Sequence, residues 1–220
     1  MIRRPPRSTR KESSAASDVY KRQSKYKDIK GFMPEHEGKA LYKWARKFSE
    51  YGPLLEIGTY CGKSSMFLSE GAEANNQYVY TIDHHMGSEE HQVNEEYFDI
   101  EIFDELSKRI NSFPLFLENI NNFGIKNIVP IVNESSLVAE SWNSPLAMVF
   151  IDGGHSLETA MNDFISWHEK IISGGALVIH DIFENPEDGG QAPYEVYKHA
   201  LKNGFNDFDR VDTITCLKKS

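Results

Sequence analysis

Cysteine is scarce in this 220-residue chain: Cys61 and Cys216 are the only two, and they lie far apart. No CxxC pair and no Cys/His array is present, which argues against a structural zinc site and against a disulfide framework. Such cysteine usage suits a reducing compartment, and a cytoplasmic protein is expected. No apolar run approaches the roughly 18 residues that a membrane span needs. The N-terminus is basic but lacks the apolar stretch of a signal peptide. Positive charge is also short overall, with a formal net charge of -9. Residues 1–23 carry seven Lys/Arg and two Asp/Glu, so the remaining 17 basic and 31 acidic residues give the body -14. No basic face for nucleic acid or for an anionic membrane is therefore expected.

Two segments differ in kind. Residues 1–23 are basic, serine-rich and almost without apolar side chains, so they have little with which to pack. They resemble the translation of a sequencing adapter read through at the end of a reading frame, with a basic arm or transit peptide as the alternative. Residues 24–220 have ordinary globular composition and a length that fits one domain.

Within that body, helical and extended patterns alternate. Ala40, Leu41, Trp44, Ala45 and Phe48 recur at helical spacing before Gly52-Pro53. Leu54–Ile57 is a short apolar strand entering a glycine, and the residues after Gly62 read as a helix. Further strands are expected at Tyr78–Asp83, Asn127–Val132, Leu146–Asp152 and in the run GGALVIHD, with two closing strands in FNDFDRV and TITCLKK. Residues 96–123 read as helix and loop, Ser135–Ser141 as a short helix, Leu157–Ile172 as a helix, and Tyr194–Lys202 as the last one. The continuous apolar run LAMVFI marks a strand buried on both faces. The expected architecture is α/β: a Rossmann-like, mostly parallel sheet of about seven strands with helices on both faces. Ligands of such sheets bind at the carboxyl edge, where Gly58, Asp83, Asp152 and His180-Asp181 collect.

The turn Glu56 to Ser65 reads EIGTYCGKSS. Glycines at 58 and 62 permit a tight turn and close approach of a ligand. Asp83, at the end of the second strand, is placed to accept bonds from ribose hydroxyls. Three ligands compete. A nicotinamide dinucleotide calls for a glycine where Tyr60 stands. A triphosphate calls for four residues between the glycines, and here there are three, although Gly62-Lys63-Ser64 is otherwise suggestive. A sulfonium-bearing S-adenosyl ligand has no phosphate and suits an acid such as Glu56 beside the turn.

Taken together, LLEIGTYCGKSS, YTIDHH, FIDGGHSLETAMNDFISW and GGALVIHD resemble the class I methyltransferases, in particular the group called methyltransferase family 24, over residues 29–218. The resemblance implies S-adenosyl-L-methionine as cofactor. It implies that Glu56, Gly58, Thr59, Tyr60 and Gly62 surround its methionine part and that Asp83 holds the ribose. Asn133, Glu134 and Ser135 would then flank the adenine, and Asp152 would close the site. The acceptor expected is a small molecule, with oxygen one methyl-accepting atom that the chemistry admits. The rivals are a relative on the same fold that binds a ligand without turnover or runs a different chemistry, and a P-loop-like nucleotide binder.

Methyl transfer is an in-line displacement that mainly needs alignment, helped by a base or a cation when a hydroxyl accepts. His155, His180 and Asp181 are the candidate catalytic residues. Asp152 and Asp181 are a candidate Mg²⁺ pair, although the apolar Ile182 follows Asp181. His84, His85 and His91 are read as solvated loop residues, with an acceptor-site role as the alternative, and Trp44, Trp142 and Trp167 as packing residues.

Overall fold

A computed structural model of the chain describes residues 23–88, 95, 98–154 and 156–220. The adapter-like residues 1–22, His91 and the candidate base His155 thus lie outside the described residues, while Gln23 is already buried.

Seven strands form one sheet: β1 (Leu54–Ile57), β2 (Val79–Ile82), β5 (Ile128–Ile131), β6 (Leu146–Ile151), β7 (Ile171–Ile179), β8 (Phe205–Val211) and β9 (Ile214–Lys219). Their spatial order is β5-β2-β1-β6-β7-β9-β8. The first five are mutually parallel, and β9 runs antiparallel to both β7 and β8. The chain therefore builds outward from β1 in one direction, then returns to β6 and builds in the other. The crevice between the ends of β1 and β6 is the topological switch point where open α/β sheets hold ligands.

The period of two along β1 sorts its side chains between two helical layers. Leu55 and Ile57 join Val149, Ile151, Leu177 and Ile179 under α4 (Ser135–Ser141), α5 (Leu157–Trp167) and α6 (Ala192–Lys202). Leu54 joins Met148, Phe150 and Val178 under α1 (Glu35–Phe48) and α2 (Lys63–Glu73). α1 and α2 approach closely because small residues meet there: a methyl group on Gly38 would lie 2.4 Å from the Phe67 ring, and one on Gly71 2.7 Å from Ala45. α3 (Phe113–Phe123) packs Ile120 and Phe123 against Tyr26 and Phe67.

Two expectations are corrected. Within residues 96–123 a two-stranded hairpin, β3 (Phe103–Asp104) and β4 (Arg109–Ile110), precedes α3. The helix read through Ile172 ends at Trp167, and a 3-10 turn at His168–Lys170 leads straight into β7. Ile171 there pairs with Leu146 before the register shifts, so sheet pairing overrides a helical period that continues on paper. Trp44 and Trp167 are buried, as packing residues should be.

Candidate active site

The parallel ladder continues past the strands and fixes the residues that follow them. Gly58 N–H donates to the Ile82 carbonyl (3.0 Å), Asp152 N–H to Ile57 (2.8 Å), Asp83 N–H to Ile131 (3.2 Å) and His180 N–H to Ile151 (3.2 Å). The four strand ends named from sequence are thus brought into one row. Gly58 and Asp152 touch across the switch point: a Cβ on Gly58 would stand 2.0 Å from the Asp152 carbonyl oxygen. Gly58 has φ +89° as well, so glycine is required there on both counts.

The glycine turn is pinned by Asp83. Its Oδ2 accepts the N–H groups of Thr59 (2.8 Å) and Tyr60 (2.7 Å), and its Oδ1 accepts the N–H of His85 (2.6 Å). A carboxylate offers about four lone-pair sites, so the same side chain that shapes the turn retains capacity for a ligand hydroxyl. Thr59 is 2% exposed, and its Oγ1 has no hydrogen-bond partner among the described residues. A hydroxyl left so beside the turn is consistent with a partner from outside the chain, whether water or ligand. Gly62 (φ +88°) abuts the Phe116 ring and hands the chain to α2.

Glu56 behaves differently from expectation. Its side chain lies on the α1/α2 face of β1, wholly buried, where the hydroxyls of Ser64 (2.6 Å) and Ser65 donate to its two oxygens. Burial, with the nearby Asp152 and Asp83 charges adding to it, pushes its pKa up to about 8. Burial thus favours its neutral form, and its two serine bonds brace the turn from behind, away from the crevice expected to take the cofactor.

Lys63 is not poised for phosphate, because its ammonium donates to the carbonyl of Gly31 (3.1 Å). This bond ties the segment before α1 to the turn. Nearby, Lys30 pairs with Asp99 and Glu101, the Tyr60 hydroxyl donates to Asp99 (3.3 Å), and the Phe32 and Tyr60 rings lie 5.9 Å apart. None of these partners is visible in a motif, since they come together only when residues 30 and 99 meet.

At the ends of β6 and β7, His180 is 5% exposed and lies between carboxylates. Its Nδ1 donates to Asp152 Oδ1 (2.9 Å) and lies 3.4 Å from Asp181 Oδ2; its Nε2 donates to Glu37 Oε2 (2.8 Å). Desolvation opposes the charged ring, but the Asp152 carboxylate and the hydrogen bonds to Asp152, Asp181 and Glu37 outweigh it and raise the pKa far above the usual value. With each nitrogen held by a carboxylate, the ring has no lone pair free to take a proton, and the geometry favours a structural role for His180 over the catalytic one expected. Glu37 was missed: it lies in the first turn of α1, where an acid is explained by the helix dipole alone.

The Mg²⁺ pair fits poorly. Asp152, His180 and Asp181 bring three ligand atoms within 4.8 Å of one another, but Asp152 Oδ1 is committed to an imidazolium. Mg²⁺ prefers oxygen ligands, and the next side chain, Ile182, is buried and apolar.

Toward the other edge, Asn133 is exposed, and its Oδ1 accepts the N–H of Glu134 (2.9 Å). Ser135 turns its hydroxyl inward, where it accepts from Trp167 Nε1 (2.7 Å) and bonds Asp163. Asp163, also unnoticed in the sequence, is buried, and burial raises its pKa to about 6. His85, read as a solvated loop residue, is 3% exposed, with Nδ1 on Ser112 Oγ (2.8 Å) and its ring stacked on Phe116. Burial lowers its pKa.

Comparison with known proteins bears on this arrangement. A family profile described as "Methyltransferase domain", that of methyltransferase family 24, matches residues 55–182. Cofactor-bound Rv0187 from MTB aligns over 100% of this chain and 99% of its own, at 14% identity and a TM-score of 0.62. The SAH-bound methyltransferase PaMTH1 of Podospora anserina aligns over 100% and 99%, at 11% identity and a TM-score of 0.61. The O-methyltransferase TomG of Streptomyces achromogenes, involved in tomaymycin synthesis and solved with SAM, aligns over 93% and 88%, at 16% identity and a TM-score of 0.59. At such identities the likeness is one of fold.

Proposed function

The chain belongs to methyltransferase family 24, and from that premise we propose that residues 24–220 form a single domain transferring a methyl group from S-adenosylmethionine to a small-molecule acceptor, with oxygen the favoured atom. The observation that carries the reading is the switch-point turn, where Asp83 pins the Thr59 and Tyr60 amides and Gly58 meets Asp152 across the crevice. The fold shared with SAM- and SAH-bound relatives supports the cofactor, and the O-methyltransferase among them supports oxygen.

In this reading Gly58, Thr59, Tyr60 and Gly62 surround the methionine part and the remaining capacity of Asp83 receives the ribose. Asn133 borders the adenine, while Ser135 steadies that corner through Trp167 and Asp163. Asp152 closes the site from β6. Bound there, S-adenosylmethionine supplies an electrophilic methyl group on a sulfonium, open to in-line displacement. The chain's own contribution is to hold the two reactants in line and to take the acceptor's proton. Asp181, with a partly exposed carboxylate and a left-handed backbone (φ +56°), is the described group best placed for the latter. His155 is a second candidate. Mg²⁺ has no role in this account, because the Asp152–Asp181 pair already faces the His180 cation.

Calorimetric titration with S-adenosylhomocysteine, and separately with ATP–Mg²⁺, tests the reading. Saturable binding of the first alone supports it. Binding of ATP alone would promote the short Gly58–Ser64 loop to a phosphate cradle and sink the methyltransferase assignment.

A further inference from the structure

The active-site edge is connected to the first turn of α1 and to the β8–β9 turn by a buried polar chain that the methyl-transfer account does not require. Glu37 is fully buried. Its Oε1 accepts both the N–H and the hydroxyl of Thr213 (each 2.8 Å), in the turn between β8 and β9. Its Oε2 accepts a hydrogen bond from His180 Nε2, and His180 Nδ1 donates to Asp152 Oδ1. The chain of contacts thus joins four elements from distant parts of the sequence, α1, the ends of β6 and β7, and the β8–β9 turn.

An acid in a first helical turn ordinarily faces solvent and steadies the helix dipole. Glu35, the preceding acid, does so and pairs with Lys39. Glu37 is turned inward instead, where an unpaired carboxylate would be strongly unfavourable. Each of its oxygens is satisfied, which fixes its direction and therefore the direction of the His180 ring. An imidazole bonded on one side only can rotate or flip; bonded to carboxylates on both sides, it has one orientation. Asp152 is the exposed end of the chain. Its side chain remains partly open at the switch point, so the orientation passed along the chain is delivered to the ligand.

We infer that Glu37 is a positioning residue for this site: acting through the His180 ring, it holds the Asp152 carboxylate in the orientation that closes the cofactor crevice. The inference rests on the cofactor reading above. Glu37 touches no ligand in it and transfers no proton. Its contribution is to remove rotational freedom from a side chain two links away, in the way outer hydrogen-bond partners orient ligand-binding groups.

A double-mutant cycle on S-adenosylhomocysteine affinity, with thermal melts of each protein, tests this. The proteins are wild type, Glu37→Gln, His180→Asn and the double variant. Losing a link in a buried hydrogen-bonded chain should weaken binding by ~5- to 150-fold. Because Glu37 acts through His180, Glu37→Gln should weaken binding in wild type and add little in the His180→Asn background. Multiplying effects would mean that the two act separately and would overturn the inference. So would a Glu37→Gln protein that melts lower but binds as wild type does, since the residue would then be structural only. Wild type that binds no S-adenosylhomocysteine overturns the cofactor reading itself, and this inference with it. Should Glu37→Gln fail to fold, Thr213→Val removes one hydroxyl contact to Glu37, and NMR of ¹⁵N-labelled wild type reads the ring directly. Both ring N–H protons of His180 should be seen, protected from exchange, and a ring carrying a single proton would overturn the chain as drawn.

Discussion

Replacing Glu56 by Gln should make the protein more stable at neutral and alkaline pH while leaving its fold intact. The wild-type carboxyl is out of solvent, takes two serine hydroxyls and titrates at about 8 instead of 4.5, chiefly because burial disfavours its charge. The folded chain therefore keeps a proton that the unfolded chain gives up. Below the unfolded value this has no effect on stability. Above it, stability is lost progressively as pH rises toward the folded value. Each pH unit costs about 1.4 kcal/mol, so by pH 7 the loss is on the order of 3 kcal/mol. Gln is neutral throughout and can match the site, accepting from one serine and donating to the other. Urea unfolding of both proteins from pH 5 to 8 is the assay. Their stabilities should agree within ~1 kcal/mol at pH 5, and at pH 7 the variant should unfold at a midpoint about 1 M higher. A variant destabilised by the same amount at every pH would refute the reasoning, because it would mean that the wild-type group is ionised and needed as an anion.

Other outcomes follow from the same geometry. Wild type itself should lose stability between pH 5 and 8, because Glu56, Asp163 and the raised His180 all bind protons more tightly when folded; a melting temperature that rises across this window contradicts their burial. Gly58→Ala meets the Asp152 carbonyl and an unfavourable φ together, so it should cost ~3 kcal/mol, seen as a melting temperature lower by ~6–12 °C. Asp83→Asn turns an acceptor of three N–H groups into a weaker one and should weaken S-adenosylhomocysteine binding by ~5-fold or more; unchanged affinity removes Asp83 from the site. Lys63→Ala should leave that affinity within about twofold, since Lys63 ties down Gly31 and not a ligand.

Much of the fold was legible because its elements carry strong local signals. The apolar run from Leu146, the glycines flanking Thr59-Tyr60-Cys61 and the helical stripe of α1 each declare their state, and the row of strand ends followed from alternation. What escaped was decided by contacts between distant residues. β7 starts at Ile171 because Leu146 pairs with it there, and a periodic apolar pattern cannot foresee that. Glu56 looked like a cofactor-facing acid because strand order alone does not say which face of β1 it occupies; the period of two puts it under α2, beside two serines. His180 looked like a catalytic residue because its partner Glu37 stands 143 positions away. Its imidazolium state depends on that partner and on Asp152 together. Asp163 carried no signal beyond an acid inside an amphipathic helix.

The central claim is that the turn from Gly58 to Gly62 holds an S-adenosyl ligand at the switch point. It is tested most directly by following the backbone amide signals of ¹⁵N-labelled protein as S-adenosylhomocysteine is added. The account predicts saturable shifts centred on Gly58, Thr59, Tyr60, Asp83 and Asp152, with the amides around the Ser173–Ser220 contact, at the opposite end of β7, unmoved. Absence of any saturable shift, or shifts confined to residues away from the ends of β1, β2 and β6, would contradict it.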